Sequence, residues 1–161
     1  MVDIVRQQKL TVNIQGKEYV KVEGWTSLAA MLGVFAHTEY SRRLERKDEI
    51  AYEARVSIKT LDGTEISSGE AICTSTESNK KGQPEYAIKS MAITRATGKA
   101  CRLAFSWIMA LAGFEPTPAE EMDAIEIEEQ QKSQPQPKTE KPKKESAKQT
   151  KTEVDIETPF D

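Results

Sequence analysis

Residues 50–74 read IAYEARVSIKTLDGTEISSGEAICT, and this stretch decides the fold. From Ile50 to Thr60 apolar and polar side chains alternate. An extended strand has a side-chain period of two, so Tyr52, Ala54, Val56, Ile58 and Thr60 share one face. Glu53, Arg55, Ser57 and Lys59 share the other. One face packs on a core and the other meets solvent or a ligand. Leu61-Asp62-Gly63-Thr64 is a hairpin turn, because Asp-Gly tolerates the positive φ such turns need. Thr64–Thr74 then returns as the next strand. Ser67-Ser68-Gly69 within it marks a bulge or a close backbone approach.

Upstream, Leu10–Gln15 and Glu18–Val22 alternate around Gly16 and predict a second hairpin. Glu23-Gly24 breaks that pattern. Trp25–Leu32 (WTSLAAML) is a short helix stopped by Gly33, held to the sheet by Trp25, Leu28, Ala29 and Leu32. Phe35–Lys47 is polar with scattered apolar residues, a strand with exposed faces. Downstream, Ser75–Pro84 is a polar loop. Glu85–Leu111 is the longest periodic segment and ends before Gly113. Met91, Ile93, Ala96, Ala100, Cys101, Leu103, Ala104, Trp107, Ile108 and Leu111 give it a broad apolar side. Gly98 costs that helix roughly 1 kcal/mol against alanine, which predicts close packing on another backbone.

The expected fold class is therefore α+β. A twisted antiparallel β-sheet, hairpin plus meander, packs against a short helix and a long basic helix. Residues 1–115 form this domain. Residues 116–128 follow as a short acidic turn or helix, opened by Pro116 and Pro118, with Glu120 and Glu121 solvated. Gln130–Thr152 lacks the apolar residues needed to offset chain entropy, so a disordered linker is expected over 129–152. Residues 153–161 (EVDIETPFD) interleave acids with Val154, Ile156 and Phe160 as an interaction tip.

The chain has 161 residues and a net charge of −3. That charge is uneven: residues 1–114 hold 16 basic and 13 acidic side chains. A mildly basic head with an acidic tail points to a polyanion-binding body. Cys73 and Cys101 form no CxxC pair, which argues against a disulfide framework or zinc site. They read as small buried hydrophobes. No apolar run spans a membrane and no signal peptide is visible, so a cytoplasmic protein is expected. His37 lies beside no nucleophile or carboxylate motif, and no phosphate-binding glycine loop is present. The expectation is a protein that is not an enzyme and needs no cofactor and no metal.

Binding chemistry has more to work with. Arg95, Lys99 and Arg102 stand at i, i+4 and i+7, one stripe of a helix. No acid occurs between Glu85 and Glu115. Arg55 and Lys59 on the sheet, with Arg42, Arg43, Arg46 and Lys47 nearby, extend this into a candidate groove for a phosphate backbone. Tyr40, Tyr52 or Tyr86 are candidates to stack bases.

The segment Tyr19–Gly113 resembles the single-strand-annealing domain of the Rad52 family, in particular its small phage members. The order of elements agrees: hairpin, Glu23-Gly24-Trp25, short helix closed at Gly33-Val34-Phe35, meander with an Asp-Gly turn, long basic helix. Ala92-Ile93-Thr94 followed by Lys99-Ala100-Cys101-Arg102 matches the family pattern A-(V/I)-T-x-x-x-x-(K/R)-A-x-(K/R). The resemblance implies that Lys99 and Arg102 line the DNA groove of a ring-shaped homo-oligomer. It implies ATP-independent annealing of complementary strands in homologous recombination and DNA repair. Thr26 and Ser57 stand where family members often carry a basic residue.

Asp155-Ile156-Glu157-Thr158-Pro159-Phe160 resembles the acidic tip of bacterial single-strand-binding proteins. That implies a role for Asp155, Ile156, Pro159 and Phe160 in docking host replication or repair proteins, although Asp161 follows the phenylalanine. Two rivals remain open from sequence. One is a single-strand-binding protein with an OB barrel, which fits the long C-terminal helix poorly. The other is an adaptor that recruits host proteins through its tail.

Overall fold

The structure, a computed structural model, describes residues 2–122. The linker, the interaction tip and residues 123–128 of the acidic segment expected from sequence lie outside the described residues. The element order is α1 (Val2–Gln7), β1 (Thr11–Ile14), β2 (Lys17–Val20), α2 (Val22–Met31), β3 (Val34–Leu44), β4 (Ala51–Thr60), β5 (Glu65–Thr74) and α3 (Glu85–Leu111). The fold is α+β. The strands make two antiparallel sheets, the β1–β2 hairpin and a β3–β4–β5 meander. The meander is an open sheet with β3 and β5 as edges. Among the described residues there is no closed barrel of the OB type.

The alternation in 50–74 places α3. Tyr52, Ala54, Val56 and Ile58 lie opposite Cys73, Ala71, Gly69 and Ser67 in register, and α3 packs on that face. Ile88, Ala92, Ala96 and Ala100, spaced by four, are all fully buried. Three alanines in that ridge let the helix lie close to the sheet. A Cβ on Gly69 would stand 2.6 Å from the Ala100 amide nitrogen and 2.7 Å from the Ala96 carbonyl oxygen. Gly69 is thus the close backbone approach that its sequence context predicts. Ser67 Oγ donates to the Ala100 carbonyl at 2.7 Å beside it.

Several expectations need correction. Helix α2 begins at Val22, not Trp25. Gly24 lies inside it, where a Cβ would meet Val20 Cγ1 at 2.4 Å. Trp25 is fully buried and donates Nε1–H to the Val20 carbonyl, but Leu32 is half exposed. Gly98 faces the Pro118 ring, not another backbone; a Cβ would sit 3.1 Å from that ring. The apolar side of α3 is also misassigned at its end. Phe105 and Met109 are buried, whereas Leu103, Trp107 and Leu111 are 67%, 62% and 80% exposed.

The chain after α3 does not leave the body. Phe114 is buried, and the Arg6 guanidinium stands 5.9 Å from its ring centroid. The Glu115 amide donates to the Glu18 carbonyl, and its carboxylate lies 3.4 Å from Lys17 Nζ. Pro118 packs on Gly98. Glu120 accepts from the Val22 amide at 3.0 and 3.2 Å, capping the start of α2 from 98 residues away. Glu120 and Glu121 are therefore structural, not the solvated pair expected.

Candidate nucleic-acid interface

Lys99 and Arg102 lie on α3 one turn apart, as the i, i+3 spacing requires. Lys99 carries its Cβ against Gly69, at the β5 edge of the meander. No carboxylate lies within ion-pair distance of Lys99 among the described residues. Arg102 Nη1 lies 3.0 Å from Glu121 Oε2. Glu121 is 10% exposed and its Oε1 has no hydrogen-bond partner among the described residues. Burial pushes the Glu121 carboxyl above the usual carboxylate range; Arg102 and Lys99 oppose that shift without cancelling it.

Arg95 does not join them. It is 7% exposed, turned toward the loop after β5. Its Nη1 and Nη2 donate to Glu77 Oε1 and Oε2 at 2.9 and 2.7 Å, a bidentate pair. Burial works to raise the Glu77 carboxyl, but Arg95 and the Thr74 amide outweigh it and hold it low. The expected three-cation stripe is thus a half-buried two-cation site plus a buried clamp on the 75–84 loop.

The sheet cations lie elsewhere. Arg55, Lys59 and Arg42 project from the face of the meander away from α3, by the alternation of β3 and β4. The sheet therefore separates them from Lys99 and Arg102, and the single groove expected from sequence is not formed. Each also has an acidic partner. Arg55 Nη1 lies 2.8 Å from Glu70 and its Nη2 3.7 Å from Glu65. Lys59 Nζ lies 2.6 Å from Glu39, and Arg42 Nη2 lies 2.6 Å from Glu53. Arg43, on the helix side of β3, lies 3.4 Å from Glu85 at the start of α3. Arg46 pairs with Glu49 at 2.9 Å.

The aromatic candidates divide similarly. Tyr52 donates its hydroxyl to Glu85 and is half-buried. Tyr40 lies under the Arg42 guanidinium, 4.8 Å from ring centroid to charge. Tyr86 is 75% exposed. His37 is exposed on the outer sheet face opposite Ser57. Burial pushes the Cys73 and Cys101 thiols up to about 11 and about 12, consistent with packed, inert side chains.

Two residues that matter here were missed from sequence. Glu39 is the extra residue of a bulge between Thr38 and Tyr40, and its carboxylate accepts from Ser57 Oγ at 2.6 Å. Ser57, fully buried, is thus satisfied rather than a vacant cation position. Glu121 is the other, and nothing in its local sequence marks a long-range partner. Glu115, Glu120 and Glu121 cancel the excess of 16 basic over 13 acidic residues in 1–114, so the folded body is charge-balanced. The tail residues Asp155, Ile156, Pro159 and Phe160 lie outside the described residues.

No family model and no curated protein matches this chain. No helix among the described residues is long and apolar enough to cross a membrane, and no cluster of potential metal ligands occurs among them.

Proposed function

We propose that this chain binds single-stranded DNA through Lys99 and Arg102 and promotes annealing of complementary strands, as in phage-type recombination. The observation that carries this reading is the pair itself. Lys99 stands at a sheet edge with no carboxylate within ion-pair distance among the described residues. Arg102, one turn on, holds the oxygen of a carboxylate whose charge is disfavoured by burial. An anionic oxygen from a phosphate satisfies the same guanidinium geometry. Backbone contacts of this kind leave bases free to pair, and pairing supplies the driving free energy without nucleotide hydrolysis.

The test is binding of a fluorescent single strand and its duplex across a salt series, followed by the annealing rate. Each phosphate neutralised on a single strand contributes about −0.7 to the log–log salt slope, so Lys99→Ala with Arg102→Ala flattens the slope by about 1.4. The wild type accelerates annealing and the double variant does not. Salt-independent binding, or an unchanged double variant, overturns the proposal. Binding without faster annealing reduces it to a coating protein.

A further inference from the structure

The segment after α3 brings the chain back to the two cations on that helix. Pro118 packs on Gly98, and the Glu120 carboxylate caps Val22. The Glu121 amide donates to the Pro118 carbonyl, and Glu121 Oε2 reaches Arg102 Nη1 at 3.0 Å. Contacts to α2 and α3 thus hold the backbone where it passes the cations. The next seven residues, 123–129, read DAIEIEE. Asp123, Glu126, Glu128 and Glu129 stand there with no basic side chain among them. At roughly 3.5 Å per residue, none of the four lies more than about 28 Å of chain from Glu121.

We infer that residues 123–129 are an internal polyanion that seats on Lys99 and Arg102 and has to be displaced before a phosphate backbone binds there. The displacement rests on the DNA-binding reading; the seating does not. Three observations carry it. Glu121 shows that this pair takes a carboxylate from the same segment even where burial leaves the other oxygen, Oε1, without a partner. The cations have room for more. A guanidinium carries five N–H donors, Glu121 meets Nη1, and the Arg102 side chain is still 37% exposed. Lys99 adds three donors, with no carboxylate in ion-pair distance among the described residues. The third is the tether. Acids two to eight residues beyond a fixed contact are present at these cations at an effective concentration on the order of millimolar. Exposed ion pairs of this kind are screened by salt, so the seat opens as ionic strength rises. The seven lysines of 130–152 are the competing seat for the same acids, and the experiment keeps them in place.

The experiment compares the full-length chain with a neutralised variant, Asp123→Asn, Glu126→Gln, Glu128→Gln and Glu129→Gln. Cys73 and Cys101 are buried, so a nitroxide label attaches at an added Gln131→Cys in both proteins. Without DNA, the label is expected to broaden the NMR signals of Lys99 and Arg102 much more in the parent than in the neutralised protein. The difference should vanish at about 1 M salt, where the Debye length is about 3 Å. A tether with no seat predicts equal broadening in both proteins, and that result overturns the inference. Broadening that falls on the lysines of 130–152 and spares Lys99 and Arg102 also overturns it. In the second arm, the neutralised protein is expected to bind oligothymidylate about tenfold tighter at low salt, the factor set by a seat that is open about one-tenth of the time. The gain should disappear once Lys99→Ala and Arg102→Ala are added. A gain that persists in that background overturns the inference, because the acids then act on DNA held elsewhere. If neither protein binds oligothymidylate, the proposed function falls, and the label comparison alone decides the seating.

Discussion

Glu121 places Oε2 3.0 Å from Arg102 Nη1, while its side chain is 90% withdrawn from solvent and its other oxygen has no partner among the described residues. The contact closes a strap, residues 114–121, that runs back from the end of α3 across Gly98 to the start of α2. If Arg102 contacts a phosphate, Glu121 competes for it. Glu121→Gln should therefore tighten single-strand binding by about three- to tenfold, the scale of one ordinary net hydrogen bond. The raised pKa sets the pH dependence. As pH falls through that raised pKa the carboxyl takes up a proton, Arg102 is released, and wild-type affinity rises; the Gln variant loses this component. For stability the sign is the reverse of an ordinary paired acid. Folding favours the protonated form, so this group's contribution falls as pH rises through its raised pKa. Glu121→Gln should melt no lower than wild type at pH 7. Weaker DNA binding by the variant would assign Glu121 a purely structural role.

Arg95 and Glu77 make a different kind of pair, and the expected variant behaviour separates them from the DNA site. Arg95→Ala leaves the Glu77 carboxylate in a half-buried position without its bidentate partner. Removing one member of such a pair should cost about 3 kcal/mol, read as a lower urea midpoint. Under native conditions the remaining folded protein should bind single strands with wild-type salt slope. A variant of wild-type stability and lower DNA affinity would return Arg95 to the binding face.

The fold was legible because its main signals are local. Alternation in 50–60, the Asp-Gly turn and the length of 85–111 each depend on residues close in sequence, and β4, β5 and α3 follow from them. The errors on α3 arise because periodicity shows which residues share a face, not how far the sheet beneath extends. Ala100 and Leu103 lie on neighbouring ridges, yet only one has a strand under it. The candidate site was less legible for a related reason. The absence of acids between Glu85 and Glu115 suggested free cations, but the carboxylates came from other segments. Glu77 lies in a loop before the helix, Glu121 beyond it, and Glu39 in a bulge on another strand.

Gly69 tests the packing that brings Lys99 to the sheet edge. Both nearest atoms to an added Cβ are helix backbone, at 2.6 and 2.7 Å, so α3 has to move away from β5. Gly69→Ala should destabilise by at least about 2 kcal/mol, as overpacking of a close backbone contact does. Gly98→Ala is the control. Its Cβ meets the Pro118 ring at 3.1 Å, where a shift of a few tenths of an ångström suffices, and it gains helix propensity of about 1 kcal/mol. The Gly98 variant should have the higher urea midpoint of the two; the opposite order would mean that α3 sits farther from β5.

Glu39 gives the outer sheet face its own test. Hydrogen bonds from Lys59 and then Ser57 hold its carboxyl down to about 2, from an ordinary value of 4.5. A depressed folded pKa stabilises the native state above the unfolded value and loses that contribution as pH falls through the folded one. The window is thus about pH 4.5 down to about pH 2, and Glu39→Gln should flatten the acid limb of the stability curve there. The same variant frees Lys59 from its carboxylate partner. If DNA contacts only the α3 side of the meander, affinity for single strands at pH 7 stays within about twofold of wild type, less than the effect of one hydrogen bond. A larger gain would show that the outer face, with Arg55 and Arg42, belongs to the DNA path and that strands cross both sides of the β5 edge.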